Sequence, residues 1–432
     1  MTIDFNFFDE LPDNWETARV KNILDYNHHY PIGDGDHGSI KPEMYQDEGI
    51  PYLRVQNLSW GFDINYDNLV YISDEVNLAN SKSILIPDDI LIAKTGATVG
   101  KMAIIPKSMP QANTTSSVGK ITINHELFNI KYFAYLFSSP MFQEQIKEKA
   151  YQKSAQPGFN IDDLIEFKII IPPFNAQKQI ANYLDKQIAK IDDTIAKNEE
   201  LIQLLDEKRV ALINQVVTKG LDPDVPMKDS GVEWIGEIPE HWEINPLKNV
   251  SSIIMGQSPN SNDINDEKEG ILFMQGNAEF TNLYPNPSEY CKSPKKISRK
   301  GDILMSVRAP VGELNISDKR YGIGRGLCSI KPIKVNQSFL WYYLLKSKTD
   351  FNYYSNGSTF DAITIGNLSS FPITIPFSDE QNQIGDYLSK ETSRVDNIIE
   401  KVKINITLLE EYKTSLIHNV VTGKIDVKEE VI

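Results

Sequence analysis

The stretch Gln177-Lys178-Gln179-Ile180-Ala181-Asn182-Tyr183-Leu184 returns as Gln381-Asn382-Gln383-Ile384-Gly385-Asp386-Tyr387-Leu388, 204 positions on. Working outward, the match runs without a gap from Phe167 to Asp222 against Phe371 to Asp426. It takes in Ile171-Pro172 against Ile375-Pro376 and Val216-Val217-Thr218 against Val420-Val421-Thr422. Within the first copy, apolar residues fall at Ile180, Leu184, Ile188, Ile191, Ile195, Ile202, Leu205, Leu212 and Val216. In the second they fall at Ile384, Leu388, Val395, Ile399, Val402, Ile406, Leu409, Leu416 and Val420. Steps of three and four sustained this long are a coiled-coil seam. Pro172-Pro173 and Pro376 stand where helices start, and Gly220 and Gly423 where they stop. A helix of about 42 residues is roughly 63 Å long and has to bury its stripe. The equivalent helix of the other copy, lying antiparallel, is the expected partner; the competing arrangement has each helix packing only on its own domain. Asn198 and Arg209 interrupt the first seam, Thr392 and Lys413 the second, as solvated or register-setting positions. The carboxylate pair Asp192-Asp193 is expected to face solvent.

The repeat extends upstream. Leu11-Pro12-Asp13-Asn14-Trp15-Glu16 recurs as Ile238-Pro239-Glu240-His241-Trp242-Glu243, Asp89-Ile90-Leu91 as Asp302-Ile303-Leu304, and Val99-Gly100 as Val311-Gly312. The offset shrinks from 227 at the tryptophans to 204 at the helices, so similar frames bracket middles that differ in length and sequence. Strands are predicted at Ile50–Val55, Ile90–Ala93, Lys168–Ile171 and Ile303–Val307, and short aromatic-rich helices at Phe128–Phe137 and Ser338–Lys346. The fold class is therefore α+β: two mixed α/β recognition domains joined by two long antiparallel helices, with pseudo-two-fold internal repetition. The expected division is 1–174 and 237–378 for the domains and 175–219 and 379–422 for the helices, with a linker at 220–236 and a tail at 423–432.

The 432 residues are 41% hydrophobic and 24% charged, ordinary for a soluble globular chain of two or three domains. Two cysteines, Cys291 and Cys328, are too few for a disulfide framework or a structural zinc site, which favours a reducing, cytoplasmic setting. No signal peptide and no membrane span are expected. A net charge of −15 argues against an indiscriminate nucleic-acid binder. A reader of bases can still be acidic overall if its cations are local or a partner closes around the duplex. Gly33-Asp34-Gly35-Asp36-His37-Gly38 satisfies a dinucleotide spacing, but it lacks a preceding strand, Pro42 breaks the following helix, and two carboxylates would repel phosphate. It closes no EF-hand either. The six histidines lack metal-ligand spacing, and no constellation that would perform chemistry is present.

What remains is binding. Lys94-Thr95-Gly96-Ala97-Thr98-Val99-Gly100-Lys101 reads as a strand–turn–strand tip, and its counterpart places Arg308 at the same turn. Arg320 and Arg325 flank the next glycine-rich stretch. Arginine suits bidentate reading of guanine, Asn and Gln suit adenine, and Thr and Lys suit phosphate. The candidate DNA contacts are Arg54, Gln56, Asn57, Lys94, Thr95, Thr98 and Lys101 in the first copy, and Gln275, Asn277, Arg308, Arg320 and Arg325 in the second. Gln156, Ser358 and Thr359 join them from polar loops before each last strand.

Taken together, Leu11-Pro12 to Trp15 with its copy at Trp242, Asp34-Gly35-Asp36-His37, Gly49-Ile50-Pro51-Tyr52-Leu53-Arg54, Asp302-Ile303-Leu304 to Val311-Gly312, Gly324-Arg325-Gly326-Leu327 and the paired Ile-Pro to Gln-Ile segments resemble the specificity subunits of type I restriction–modification systems. The resemblance covers nearly the whole chain. It implies a non-catalytic subunit that binds double-stranded DNA, each variable region reading half of a split site and the repeated helices spacing the halves and docking two modification subunits. Restriction subunits are further partners. S-adenosylmethionine, ATP and Mg are implied on those partners, with no cofactor or metal on this chain. The rival readings are a coiled-coil protein scaffold without DNA binding, which a gel shift on a random duplex library would separate, and an enzyme with unrecognised motifs. If the helix pair acts as a ruler, inserting a heptad is expected to lengthen the unread gap and leave both half-sites unchanged, as scored by methylation mapping.

Overall fold

A computed structural model describes residues 11–152, 157–351 and 362–427. The chain forms two compact units, one from residues 1–197 with 404–432 and the other from 198–403. The two long helices, Phe174–Lys219 and Ser378–Val421, each contribute one part to either unit.

In the first unit a four-stranded antiparallel sheet has the order Ile32–Asp34, Val118–Ile121, Ile90–Ala93, Met102–Ile104. Beside it, Ile50–Leu53 pairs antiparallel with Val70–Ile72 and parallel with Asn113–Thr114. The second unit repeats this plan. Its four strands run Ser251–Met255, Leu327–Pro332, Ile303–Ser306, Leu314–Ile316. Ile271–Met274 pairs antiparallel with Tyr290–Cys291 and parallel with Tyr321–Ile323. Two outer strands, Ile264–Asn265 and Ile297–Ser298, are added. Middles that share little sequence therefore share one topology.

The residues that do recur hold this plan in place. Asp89 is fully buried; its carboxylate accepts from Ile86 N at 3.0 Å and from Thr122 Oγ1 at 2.5 Å. Asp302 accepts from Arg299 N at 2.8 Å and Ser329 Oγ at 2.7 Å, so Asp-Ile-Leu recurs because a buried carboxylate closes the same turn twice. Burial pushes the Asp89 carboxyl up, against the pull of nearby Lys120.

Each core is closed by both long helices. In the first unit Phe133, Phe137 and Phe142 share one apolar cluster with Ile180, Leu184 and Ile188 of the first helix and with Leu416, Val420 and Val421 of the second. In the second unit Phe339 and Tyr343 cluster with Ile384 and Leu388 and with Ile213, Val216 and Val217. The opening turns of each helix thus pack on their own domain and on the closing turns of the other, combining the two arrangements that the sequence had set against each other. Lys413 Nζ meets Asp192 Oδ1 at 2.6 Å in the first unit, and Arg209 Nη1 meets Asp396 Oδ1 at 2.5 Å in the second. These positions are related by the same 204-residue offset, so one bridge is made twice. Arg209 and Lys413 interrupt their seams to hold a register. Asp192, expected to face solvent, takes part in an ion pair while half exposed. Exposed pairs contribute about 0–1 kcal/mol each, so they select alignment more than they stabilise it.

Two further devices are duplicated. Gln177 is buried; its Oε1 accepts from Asn129 N at 2.9 Å and its Nε2 donates to Pro172 O at 2.8 Å. Gln381 does the same with Asn336 N at 2.7 Å and Pro376 O at 2.8 Å. Each glutamine ties the start of a long helix to the cap of a short aromatic one. The helices end at Gly220 (φ +77°) and Gly423 (φ +74°), a left-handed conformation that favours glycine. A Cβ on Gly423 would lie 2.5 Å from Pro12 Cγ and 3.2 Å from Trp15 Cη2; one on Gly220 would lie 3.4 Å from Trp242 Cζ2. The Pro-x-x-Trp motif is therefore the lid on the helix end that its own unit receives.

Gln177→Leu and Gln381→Leu each strand two buried backbone groups and are expected to cost about 1–3 kcal/mol, read as a lower urea midpoint. Cys291 and Cys328 are both buried, and burial pushes the Cys328 thiol up to about 12. Neither is expected to react with a thiol reagent at neutral pH until the chain is unfolded.

Candidate nucleic-acid interface

The strand plan brings the ends of three strands together in each unit. In the second unit, Gly326 N donates to Gln275 O at 3.0 Å and Val307 N to Gly326 O at 2.9 Å. This sets Gln275, Arg325 and Arg308 at one tip, all three exposed. Ser258 Oγ and Gln275 Nε2 lie 2.9 Å apart at its side. Arg308 also bridges Ala362 across a short antiparallel contact.

The first unit builds the same tip from other residues. Lys94 N donates to Ser117 O at 2.8 Å as Val307 does to Gly326, and Val118 N to Thr115 O at 3.0 Å as Leu327 does to Gly324 at 3.1 Å. Thr95 bridges Gly158 as Arg308 bridges Ala362. Parallel pairing of Leu53 with Thr114 matches that of Met274 with Ile323. Arg54 therefore stands where Gln275 does, Thr95 where Arg308 does, and Ser116 where Arg325 does. Nothing in the sequence marks Ser116 or Ser258, because only the backbone pairing reveals their place.

Of the expected contacts, the structure brings Arg54 and Thr95 together in one unit and Gln275, Arg308 and Arg325 in the other. Gln56 is exposed beside Arg54, and Asn277 is half-buried just beyond Gln275. Thr98 and Lys101 are half-buried farther along the turn after Thr95. Arg320 is exposed on a separate turn. Gln156, Ser358 and Thr359 lie outside the described residues. Two side chains have other work. Asn57 is fully buried; its Oδ1 accepts from Arg54 N at 3.0 Å and its Nδ2 donates to Asn65 O at 2.9 Å, closing the turn after the strand. Lys94 is buried and its ammonium pairs with Asp34. Arg54 is half-buried: its Nη2 donates to Asn68 O at 2.6 Å and its guanidinium lies 5.6 Å from the centre of the Tyr45 ring.

The Gly33–Gly38 segment is likewise structural. Asp36 accepts from Gly38 N at 2.8 Å and Ile40 N at 2.9 Å, and Tyr52 Oη donates to it. Burial, followed by that bond, pushes the Tyr52 phenol far up. Among the described residues no group of three or more His, Cys, Asp or Glu side chains could hold a metal ion, and no helix is long and apolar enough to cross a membrane. Among the described residues the tips present guanidinium, amide and hydroxyl groups, which can donate or accept hydrogen bonds.

The family model for the type I restriction modification DNA specificity domain matches residues 12–203 and again 239–410. A putative type I restriction enzyme MjaX specificity subunit of Methanocaldococcus jannaschii is 34% identical over 426 residues, covering 97% of this chain and 95% of that protein. The MjaVIII specificity subunit of the same organism is 24% identical over 441 residues, covering 97% and 94%. Among solved structures, a chain from work on complex assembly and conformational transition of the type I R-M system aligns with a TM-score of 0.78 at 22% identity, over 96% of this chain and 100% of its own. The HsdS subunit from Thermoanaerobacter tengcongensis aligns with a TM-score of 0.59 at 22% identity, over 96% and 98%. These two share the fold. With the family model matched twice along one duplicated scaffold, the chain belongs to the type I restriction–modification DNA specificity subunits.

Proposed function

We propose that each unit reads one half of a split duplex DNA sequence with the side chains at its tip, the long helices setting the distance between the halves. The observation that carries this reading is the pairing of equivalent tip positions filled by different chemistry: Arg54 against Gln275, Thr95 against Arg308, Ser116 against Arg325. A scaffold kept constant while the side chains at its tip change is what two different base sequences require. Arginine reads guanine through two parallel bonds, glutamine reads adenine, and the hydroxyls of Thr95 and Ser116 take either a base edge or a phosphate. Gln56, Thr98, Lys101, Asn277 and Arg320 are proposed as flanking contacts, and Gln156, Ser358 and Thr359 as further contacts. Asn57 and Lys94 are proposed instead as supports of the tip.

In this reading the chain supplies sequence recognition and no chemistry. Modification subunits, two in number, would supply S-adenosylmethionine-dependent methylation, and restriction subunits ATP- and Mg-dependent cleavage. The cytoplasm is the proposed setting, in keeping with two buried free thiols.

Methylation mapping in cells that express the chain with its modification subunits tests this. Arg308→Ala or Arg325→Ala is expected to relax one half-site and leave the other intact, with a loss of about 1–3 kcal/mol of discrimination at the affected base. Thr95→Ala is expected to act on the other half-site alone. A variant at one tip that altered both half-sites would overturn independent reading.

A further inference from the structure

The segment Lys295-Lys296-Ile297-Ser298-Arg299-Lys300 carries four cations and no carboxylate in a chain whose net charge is −15. Its core, Ile297–Ser298, is an outermost strand of the second unit's five-stranded sheet. The antiparallel register Ser298↔Tyr321 carries Arg320 beside Arg299. Ile323 N donates to Lys296 O at 3.0 Å, two residues before Arg325 at the tip. Lys295, Lys296, Arg299, Lys300 and Arg320 are all exposed, and among the described residues none of them forms an ion pair. Their neighbour Lys292 pairs with Glu269 at 2.5 Å, so carboxylates are not lacking nearby.

The first unit shows that the scaffold does not need these charges. Leu85 bridges Ala112 where Ser298 pairs with Tyr321, and Ile86 N donates to Asp89 where Arg299 N donates to Asp302. The equivalent segment is therefore Lys82-Ser83-Ile84-Leu85-Ile86-Pro87, with one cation in place of four and Leu85 fully buried. Like charges abreast on neighbouring strands are destabilising. Lysines do guard sheet edges against stray strands, but that role does not call for Arg299 and Arg320 side by side, nor for charge continuing toward Arg325.

We propose that this edge is the second unit's grip on the phosphate backbone of the duplex beside the bases that its tip reads, with no equal at the corresponding segment 82–87 of the first unit. The proposal rests on the DNA-reading function above and adds to it a division of labour: sequence-independent, salt-sensitive affinity is concentrated in the second unit.

The test uses the full chain assembled with modification subunits and a short duplex of random sequence, with affinity followed by fluorescence anisotropy from about 50 to 200 mM salt. Replacing all four cations (Lys295→Gln, Lys296→Gln, Arg299→Gln, Lys300→Gln) is expected to lower the slope of log affinity against log salt by about 0.9 for each phosphate no longer neutralised, roughly three to four in all. The methylated sequence is expected to stay the same. The charge-keeping set Lys295→Arg, Lys296→Arg and Lys300→Arg is expected to keep the slope, which separates loss of charge from loss of fold, and Lys82→Gln is expected to change it by no more than about 1. An unchanged slope in the neutralised variant, with methylation intact, overturns the grip and leaves the reading function standing. Loss of the modification subunits on size exclusion with an unchanged slope overturns it in favour of an acidic protein surface. A wild-type complex that binds no duplex overturns the grip and the reading function together.

Discussion

The long amphipathic helices cannot stand alone in water, because an exposed stripe several turns long has to be covered. How it is covered organises each unit. The first turns of one helix enter a core of phenylalanines, and the last turns of the other helix fill what they leave open, as Ile180, Phe133 and Val420 do in the first unit and Ile384, Phe339 and Val216 in the second. The duplicated motifs serve this closure. Gln177 and Gln381 fix where a helix begins against its domain. The prolines and tryptophans of the repeated motif cover the glycine where the other helix ends.

Much of this was legible in the sequence, since period and spacing survive where packing is shared. The helices showed through steps of three and four, their ends through proline and glycine, and the strand Ile90–Ala93 through an unbroken apolar run. The common topology of the middles was not legible. It is carried by backbone bonds such as Gly326 to Gln275 and Lys94 to Ser117, which place no demand on the side chains that point away from them. Arg54 and Gln275 differ in charge and in acceptor capacity, and so do Ser116 and Arg325.

Single side chains were the hardest to read for the same reason. Lys94 has a turn on one side and polar neighbours in sequence, but its ammonium is claimed by Asp34, 60 residues away. Asn57 looked like a free amide and is instead a local turn brace, a use for which short polar side chains compete strongly. The cations of 295–300 were in plain view, yet their meaning depended on an edge strand and on the register that sets Arg299 beside Arg320.

The first unit is assembled from two separated spans, residues 1–197 and 404–432, whereas the second is the one continuous span between them. During synthesis the ribosome releases the first recognition domain before the second, but the helical turns that complete its core, with Leu416, Val420 and Val421, emerge only after the whole span of the second unit. The second unit can mature while the first still waits with part of its phenylalanine core uncovered. A nascent chain of this design is most vulnerable in its earlier-made domain, and truncation before residue 404 would disable that domain while leaving the span of the second unit whole.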